Sequence, residues 1–142
     1  MKLKLATLAA MAALAATPAL AQTLTPEDLI HRHMDFGAKG DLDGLANDFA
    51  VDGASINNGA ASIGREAIKA QFAKLITPRP GGGNAMGAIK IDKIWSQGNV
   101  GFMTWAAGPM HVTEVFVTHD NKIVSQSVFM SGAPGGPPPA AK

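Results

Sequence analysis

Between Thr25 and Met130 the apolar positions change period from helical to alternating. Leu29, Ile30, His33, Met34, Phe36 and Gly37 recur at helical spacing, which predicts a helix with one broad buried face. Thr25-Pro26-Glu27-Asp28 opens it: Thr25 caps, Pro26 suits the first helical position and Asp28 completes a capping box. His33 has Leu29 and Ile30 one turn before it and Phe36 and Gly37 one turn after, so it is expected to point inward, with His31 and Arg32 pointing elsewhere. Gly40 ends this helix, and Asp41 caps a second short one over 42–49 that buries Leu42, Leu45 and Phe49. Val51-Asp52-Gly53 then reads as a turn, Ala54 to Asn57 as a brief extended piece, and Asn57-Asn58-Gly59 as another turn. Gly64-Arg65-Glu66 opens a third helix whose buried stripe is Ile68, Phe72, Leu75 and Ile76, stopped by Pro78.

From Ile89 onward the period is two. Ile89, Ile91, Lys93 and Trp95 alternate with Lys90, Asp92 and Ile94, and a second apolar run covers Val100 to Ala107. In His111 to Thr118, Val112, Glu114 and Phe116 share one face. In Ile123 to Met130, Val124, Gln126, Val128 and Met130 oppose Ile123, Ser125, Ser127 and Phe129. The short links Gln97-Gly98-Asn99 and Asp120-Asn121-Lys122 predict antiparallel neighbours. Both faces of the last strands are fairly apolar, which predicts helices over one face and a partner, or another sheet, over the other. The Gly/Pro-rich stretch from Thr77 to Gly87 lacks the G-K-[ST] and the following helix of a phosphate loop, so it is expected to be a mobile loop at a pocket mouth.

The two ends carry other signals. Met1-Lys2-Leu3-Lys4, the apolar run from Leu5 to Ala16, and Ala19 and Ala21 two apart read as a secretory signal peptide over 1–21, cleaved before Gln22. The run is short for a membrane span, and no stable membrane anchor is expected. Residues 22–131 form the domain, and the Gly/Pro-rich 132–142 read as a disordered tail. Export to a bacterial periplasm is the expected location. Loss of Lys2 and Lys4 leaves ten basic residues against eleven acidic ones, a net charge of −1, with no basic cluster to hold nucleic acid. There is no cysteine, hence no disulfide and no catalytic thiol.

Three helices followed by a bent antiparallel sheet, with Gly40-Asp41-Leu42-Asp43-Gly44-Leu45, Phe49-Ala50-Val51-Asp52-Gly53, Gly64-Arg65-Glu66-Ala67-Ile68 with Phe72, and Lys122-Ile123-Val124, resembles the NTF2-like superfamily. The likeness is to the branch shared by SnoaL-like polyketide cyclases and ketosteroid isomerase-like proteins, and it covers Thr25 to Met130. It implies an α+β cone-shaped barrel, three N-terminal helices packed on a curved antiparallel sheet, with a pocket inside the cone and a homodimer through the convex sheet face. The isomerases of this family pair a tyrosine and a protonated acid with an aspartate proton shuttle. His33 stands at the tyrosine position, Asn57 (Asn58 in a shifted register) at the shuttle position, and Glu114 matches the second acid. Asn57 cannot shuttle a proton, so classical steroid isomerisation is not expected.

Glu114, between Val112 and Phe116, is an odd place for a carboxylate unless that face lines a cavity, where burial would raise its pKa; on a rim it would be solvated. His33 reads either as a general acid or base, alone or paired with Glu114, or as a core histidine satisfied by a backbone carbonyl. Trp95, Phe102, Trp105, Phe116, Val128 and Met130 are the candidate apolar lining, with Asn57 and Gln126 as polar contacts. No metal is expected: His31 and His33, and His111 and Glu114, diverge in direction, and no H-E-x-x-H occurs. The expected ligand is a small, largely apolar molecule. Three roles remain open: a binding protein, a cofactor-independent acid–base enzyme (isomerase, cyclase or hydratase) using Glu114 and His33, and a dimeric interaction module whose cone is filled by its own side chains.

Overall fold

A computed structural model describes residues 23–107 and 109–132. The expected leader, and the expected tail beyond Gly132, lie outside the described residues. Helix α1 (Pro26–Lys39) starts as the sequence dictates: the Asp28 backbone N–H donates to Thr25 Oγ1 at 3.1 Å and the Thr25 N–H donates to Asp28 at 3.2 Å. It ends at Gly40, whose φ of 74° lets Gly40 N–H reach Gly37 O and Asp41 N–H reach Phe36 O. These are the two bonds of a left-handed helix stop, a conformation costly for a residue with a Cβ. Asp41 then caps α2 (Leu42–Asn47) through Gly44 N–H at 2.8 Å.

The middle of the chain departs from expectation. Phe49 begins strand β1 (Phe49–Asn57) instead of closing the second helix, and Val51-Asp52-Gly53 lies within that strand. The pairing register slips between Phe49 and Ala54, so the chain bends there while its backbone stays extended. The Asn57-Asn58-Gly59 turn, with positive φ at Asn58 and Gly59, closes a hairpin onto strand β2 (Ala60–Ile63), which the polar–apolar pattern did not announce. Helix α3 (Arg65–Ala73) follows, and strands β3 (Lys90–Gln97), β4 (Val100–Ala107), β5 (Met110–His119) and β6 (Lys122–Ser131) complete the chain.

The six strands form one sheet in the order β2-β1-β6-β5-β4-β3. All neighbours are antiparallel except β1 and β6, which run parallel. The sheet is therefore mixed, not antiparallel, and α3 enters after the first hairpin, so the three helices are not a single N-terminal block. Helix α1 packs on β3, β4 and β5, and α3 packs on β1 and β2. Between them Leu29, Ile30, Leu45, Phe49, Ile68 and Phe116 are fully or almost fully removed from water. Each such side chain contributes about 1.5–3 kcal/mol of hydrophobic stabilisation.

Register decides which residues share the helix-covered face. Along β5, Val112, Glu114, Phe116 and Thr118 alternate inward. Along β6 the alternation breaks: Thr118 pairs with Ile123 but Val117 with Ser125, so Val124 is the extra residue of a bulge. Ile123 is consequently buried and Val124 is not, the reverse of what simple alternation from Gln126 predicts.

Candidate ligand-binding site

A cavity of about 330 Å³ opens between α3, the loop after it, and the inner face of β4, β5 and β6. Glu114 sits on its sheet wall, only 6 % exposed. Met103 of β4 and Val128 of β6 lie directly opposite Glu114, so the residues two positions along each strand are its diagonal neighbours. Those are Trp105 and Gln126. Trp105 Nε1–H donates to Glu114 Oε1 at 2.7 Å, and Gln126 Nε2–H donates to Glu114 Oε2 at 2.7 Å. A relay stands behind Gln126: Gln71 of α3 donates to Ser55 Oγ at 3.0 Å, and the Ser55 hydroxyl donates to Gln126 Oε1 at 3.3 Å. Parallel pairing of β1 with β6 puts Ser55 opposite Gln126 and makes this relay possible. Burial pushes the Glu114 carboxyl above its ordinary range, and the bonds from Trp105 and Gln126 only partly oppose it. No cation lies within ion-pair distance of it among the described residues.

The rest of the wall is mostly apolar. Trp105, Val128 and Met130 from the sheet face Phe72, Leu75, Met86 and Ile89 across the cavity. Leu75, expected in a buried helical stripe, is 37 % exposed because α3 ends at Ala73 and Leu75 turns toward this open space. The Gly/Pro-rich segment after α3 does line the mouth, but it is tied down. Buried Asn84 donates to Gly37 O at 2.9 Å and accepts from Gly87 N–H at 2.8 Å, and Ala85 N–H donates to Leu75 O. Met86 packs against Gly37 of α1, where any Cβ would overlap its side chain.

Of the candidates read from the sequence, Asn57, Trp105, Glu114, Gln126, Val128 and Met130 surround this cavity. Trp95 and Phe102 do not. They are register partners on the outer face of the sheet, stacked with ring centroids 5.1 Å apart and with Lys93 over the Trp95 ring. Phe116 is on the inner face but fully buried in the core. His33 is likewise fully buried, and no hydrogen bond or ion pair joins it to Glu114. It stands edge-on to Phe49, Phe72 and Phe116 at 5.3–6.1 Å, so Phe72 touches the cavity on one side and His33 on the other. Neither ring nitrogen has a hydrogen-bond partner among the described residues, and burial, with Arg32 nearby, lowers its pKa to about 3. The expected acid–base dyad is therefore not assembled, nor is the expected backbone carbonyl present at His33.

Sequence reasoning missed three groups. Ser55 lies two residues from Asn57 on the same strand face, and alternation alone marks it. Gln71 lies three residues after Ile68 and four before Leu75, on the edge of the apolar stripe. Asp48 is buried beside His33, with its Oδ2 3.8 Å from His33 Nδ1, while Arg32 donates from Nε to Asp48 Oδ1 at 2.9 Å. Arg32, half-buried, is thus spent on Asp48. Burial raises the Asp48 pKa and Arg32 opposes the rise. No group of three or more His, Asp or Glu suited to a metal ion occurs among the described residues, and no helix there is long and apolar enough to cross a membrane.

No protein-family model matches the chain, and no curated protein matches it significantly. Solved structures do resemble it. An NTF2-like protein of unknown function from Cytophaga hutchinsonii superposes with a TM-score of 0.62 at 10 % identity, covering 79 % of this chain and 95 % of that one. A protein with a ketosteroid isomerase-like fold from Catenulispora acidiphila, solved in complex with trimethylamine, gives 0.55 at 18 % identity, covering 75 % and 86 %. An LEH-like epoxide hydrolase from M. tuberculosis gives 0.56 at 14 % identity, covering 74 % and 81 %. The chain thus shares the fold of these NTF2-like and ketosteroid isomerase-like structures.

Proposed function

We propose that this protein is an exported, periplasmic NTF2-like domain that holds a small, largely apolar molecule in its cavity, with Glu114, Gln126 and Asn57 as the polar contacts. The carrying observation is Glu114: a carboxyl group 6 % exposed, without a cation, set among apolar walls and held by two N–H donors. Such a group is costly to bury, and its place on a cavity wall marks it as a functional-site candidate. The cavity volume suits a molecule of modest size. The leader-like pattern of residues 1–21 supports export, and the exposed outer-face Phe129 and Val124 support a homodimer through that face.

A second reading, cofactor-independent acid–base catalysis, is favoured by burial of Glu114, which raises its pKa and so favours the protonated, proton-donating form. The likeness to an epoxide hydrolase-like structure is compatible with it. On this reading Glu114 acts without His33, whose ring is shut behind Phe72. An interaction module with a filled cone is disfavoured by the open cavity.

Native mass spectrometry of the mature protein taken from its own periplasm, compared with the same sample denatured, tests the reading. An adduct lost on denaturation is expected, and its mass identifies the compound class. Glu114→Gln then separates the roles: weakened binding with no turnover in either protein supports binding, while turnover abolished in a folded variant supports catalysis. A clean apo mass, with no heat of binding for any apolar compound, counts against an occupied cavity.

A further inference from the structure

We propose that the cavity selects a carboxylic acid: an apolar body whose carboxylate is held by Arg79 at the mouth and whose uncharged carbonyl or hydroxyl oxygen is held by Glu114 within. The inference rests on the reading of the cavity as a ligand site and names the ligand's chemistry.

Three arginines occur in the chain. Arg32 is bound to Asp48, and the Arg65 guanidinium donates to Phe49 O at 2.9 Å. Arg79 alone makes no side-chain hydrogen bond or ion pair among the described residues, and it is the one cation among the residues that line the cavity. Its backbone is fixed all the same. Arg79 N–H donates to Gly83 O and Gly82 N–H donates to Arg79 O, both at 3.0 Å. The foot of this loop is pinned to α1 through Asn84. An anchored loop therefore presents an unspent, exposed guanidinium at the rim of an apolar cavity. A guanidinium matches a carboxylate with two parallel N–H bonds.

At the other pole the requirement is opposite. Glu114 and Arg79 do not pair, so neither cancels the other. Both protein partners of Glu114, Trp105 Nε1 and Gln126 Nε2, are donors, and the relay Gln71 to Ser55 to Gln126 runs one way, toward Glu114. A protonated Glu114, the form burial favours, has a proton with no acceptor among the described residues. The cavity side must supply that acceptor, and an uncharged oxygen does so. An amine would instead need an ionised Glu114 and would share the cavity with the free Arg79 charge.

The test uses three probes in titration calorimetry: an oxodecanoate with its ketone at the end opposite the carboxylate, its methyl ester, and decanoate. The oxo acid is expected to bind about tenfold more tightly than the ester, the size of one charge-assisted contact. Raised salt should narrow that gap. Arg79→Gln should abolish it while leaving the ester's Kd unchanged, and Arg79→Lys should restore part of it. Glu114→Ala should abolish the advantage of the oxo acid over decanoate. Equal binding of acid and ester, or an Arg79→Gln variant that weakens both alike, overturns the carboxylate assignment and leaves the apolar cavity standing. Failure of all three probes to bind overturns this inference and the ligand-site reading beneath it.

Discussion

Glu114 and His33 are buried, titratable and separated by the Phe72 wall, and desolvation drives each toward its uncharged form by shifting their pKa values in opposite directions. For His33 this has a consequence for stability. Its folded pKa is about 3 against an ordinary 6.5, so between those values the unfolded chain binds a proton that the folded one refuses. Stability is therefore lost as pH falls below 6.5, by up to about 1.4 kcal/mol per pH unit. Asp48 and Glu114, with raised pKa values, work in the opposite sense between the ordinary carboxylate range and their folded values. The comparison with His33→Leu isolates the histidine. Between pH 7 and pH 5 the wild type should lose about 2 kcal/mol more than the variant in urea unfolding; parallel losses would mean that His33 accepts a proton in the folded protein. For Glu114, the Trp105 bond offers a reporter: tryptophan emission should titrate with a midpoint above the ordinary glutamate range, and Glu114→Gln should remove that step.

At the level of elements, the segment between α3 and β3 decides whether there is a mouth at all. Its glycines and prolines suggested mobility, because nothing local in such a stretch holds it. What ties it to α1 is tertiary: Asn84 reaches a carbonyl 47 positions away and Met86 packs on Gly37. Asn84→Ala should cost about 1–3 kcal/mol, the range for leaving buried partners unsatisfied. It should also speed hydrogen exchange across 77–89, with less change in β5 and β6. Uniform loss of protection would instead make Asn84 a global core residue. Elements with strong periodicity were legible in the sequence: α1 with both its caps, and strands β3 to β6. The β1–β2 hairpin was not, because Phe49 fits the end of an amphipathic helix as well as the start of a strand, and a bulged strand lacks the alternation that marks a regular one.

At the scale of the molecule, the outer face of the sheet carries the stacked Trp95–Phe102 pair and Phe129, 60 % exposed. If this face is covered by a second copy, Phe129→Glu should convert a dimer to a monomer in sedimentation velocity with unchanged circular dichroism. An unaltered dimer would place the contact elsewhere. Trp95 and Phe102 were read as cavity lining and lie on this face instead. Aromatic residues are equally suited to either side of a sheet, so composition does not say which side a strand turns inward.

The sequence by itself determined the three helix starts, the stop of α1 at Gly40, the period of β3 to β5 and Glu114 as a carboxylate on an apolar strand face, because these depend on interactions within a few residues along the chain. Tertiary structure alone decided the rest. Parallel pairing of β1 with β6 brought Ser55 to Gln126, the β6 bulge put Ile123 inward, and strand register set Trp105 and Gln126 on the two oxygens of Glu114. The same long-range packing closed His33 behind Phe72 and left Arg79 at the mouth without a side-chain partner among the described residues. Contacts between residues far apart in sequence depend on register and packing, and a one-residue slip in a strand reverses which face a side chain occupies.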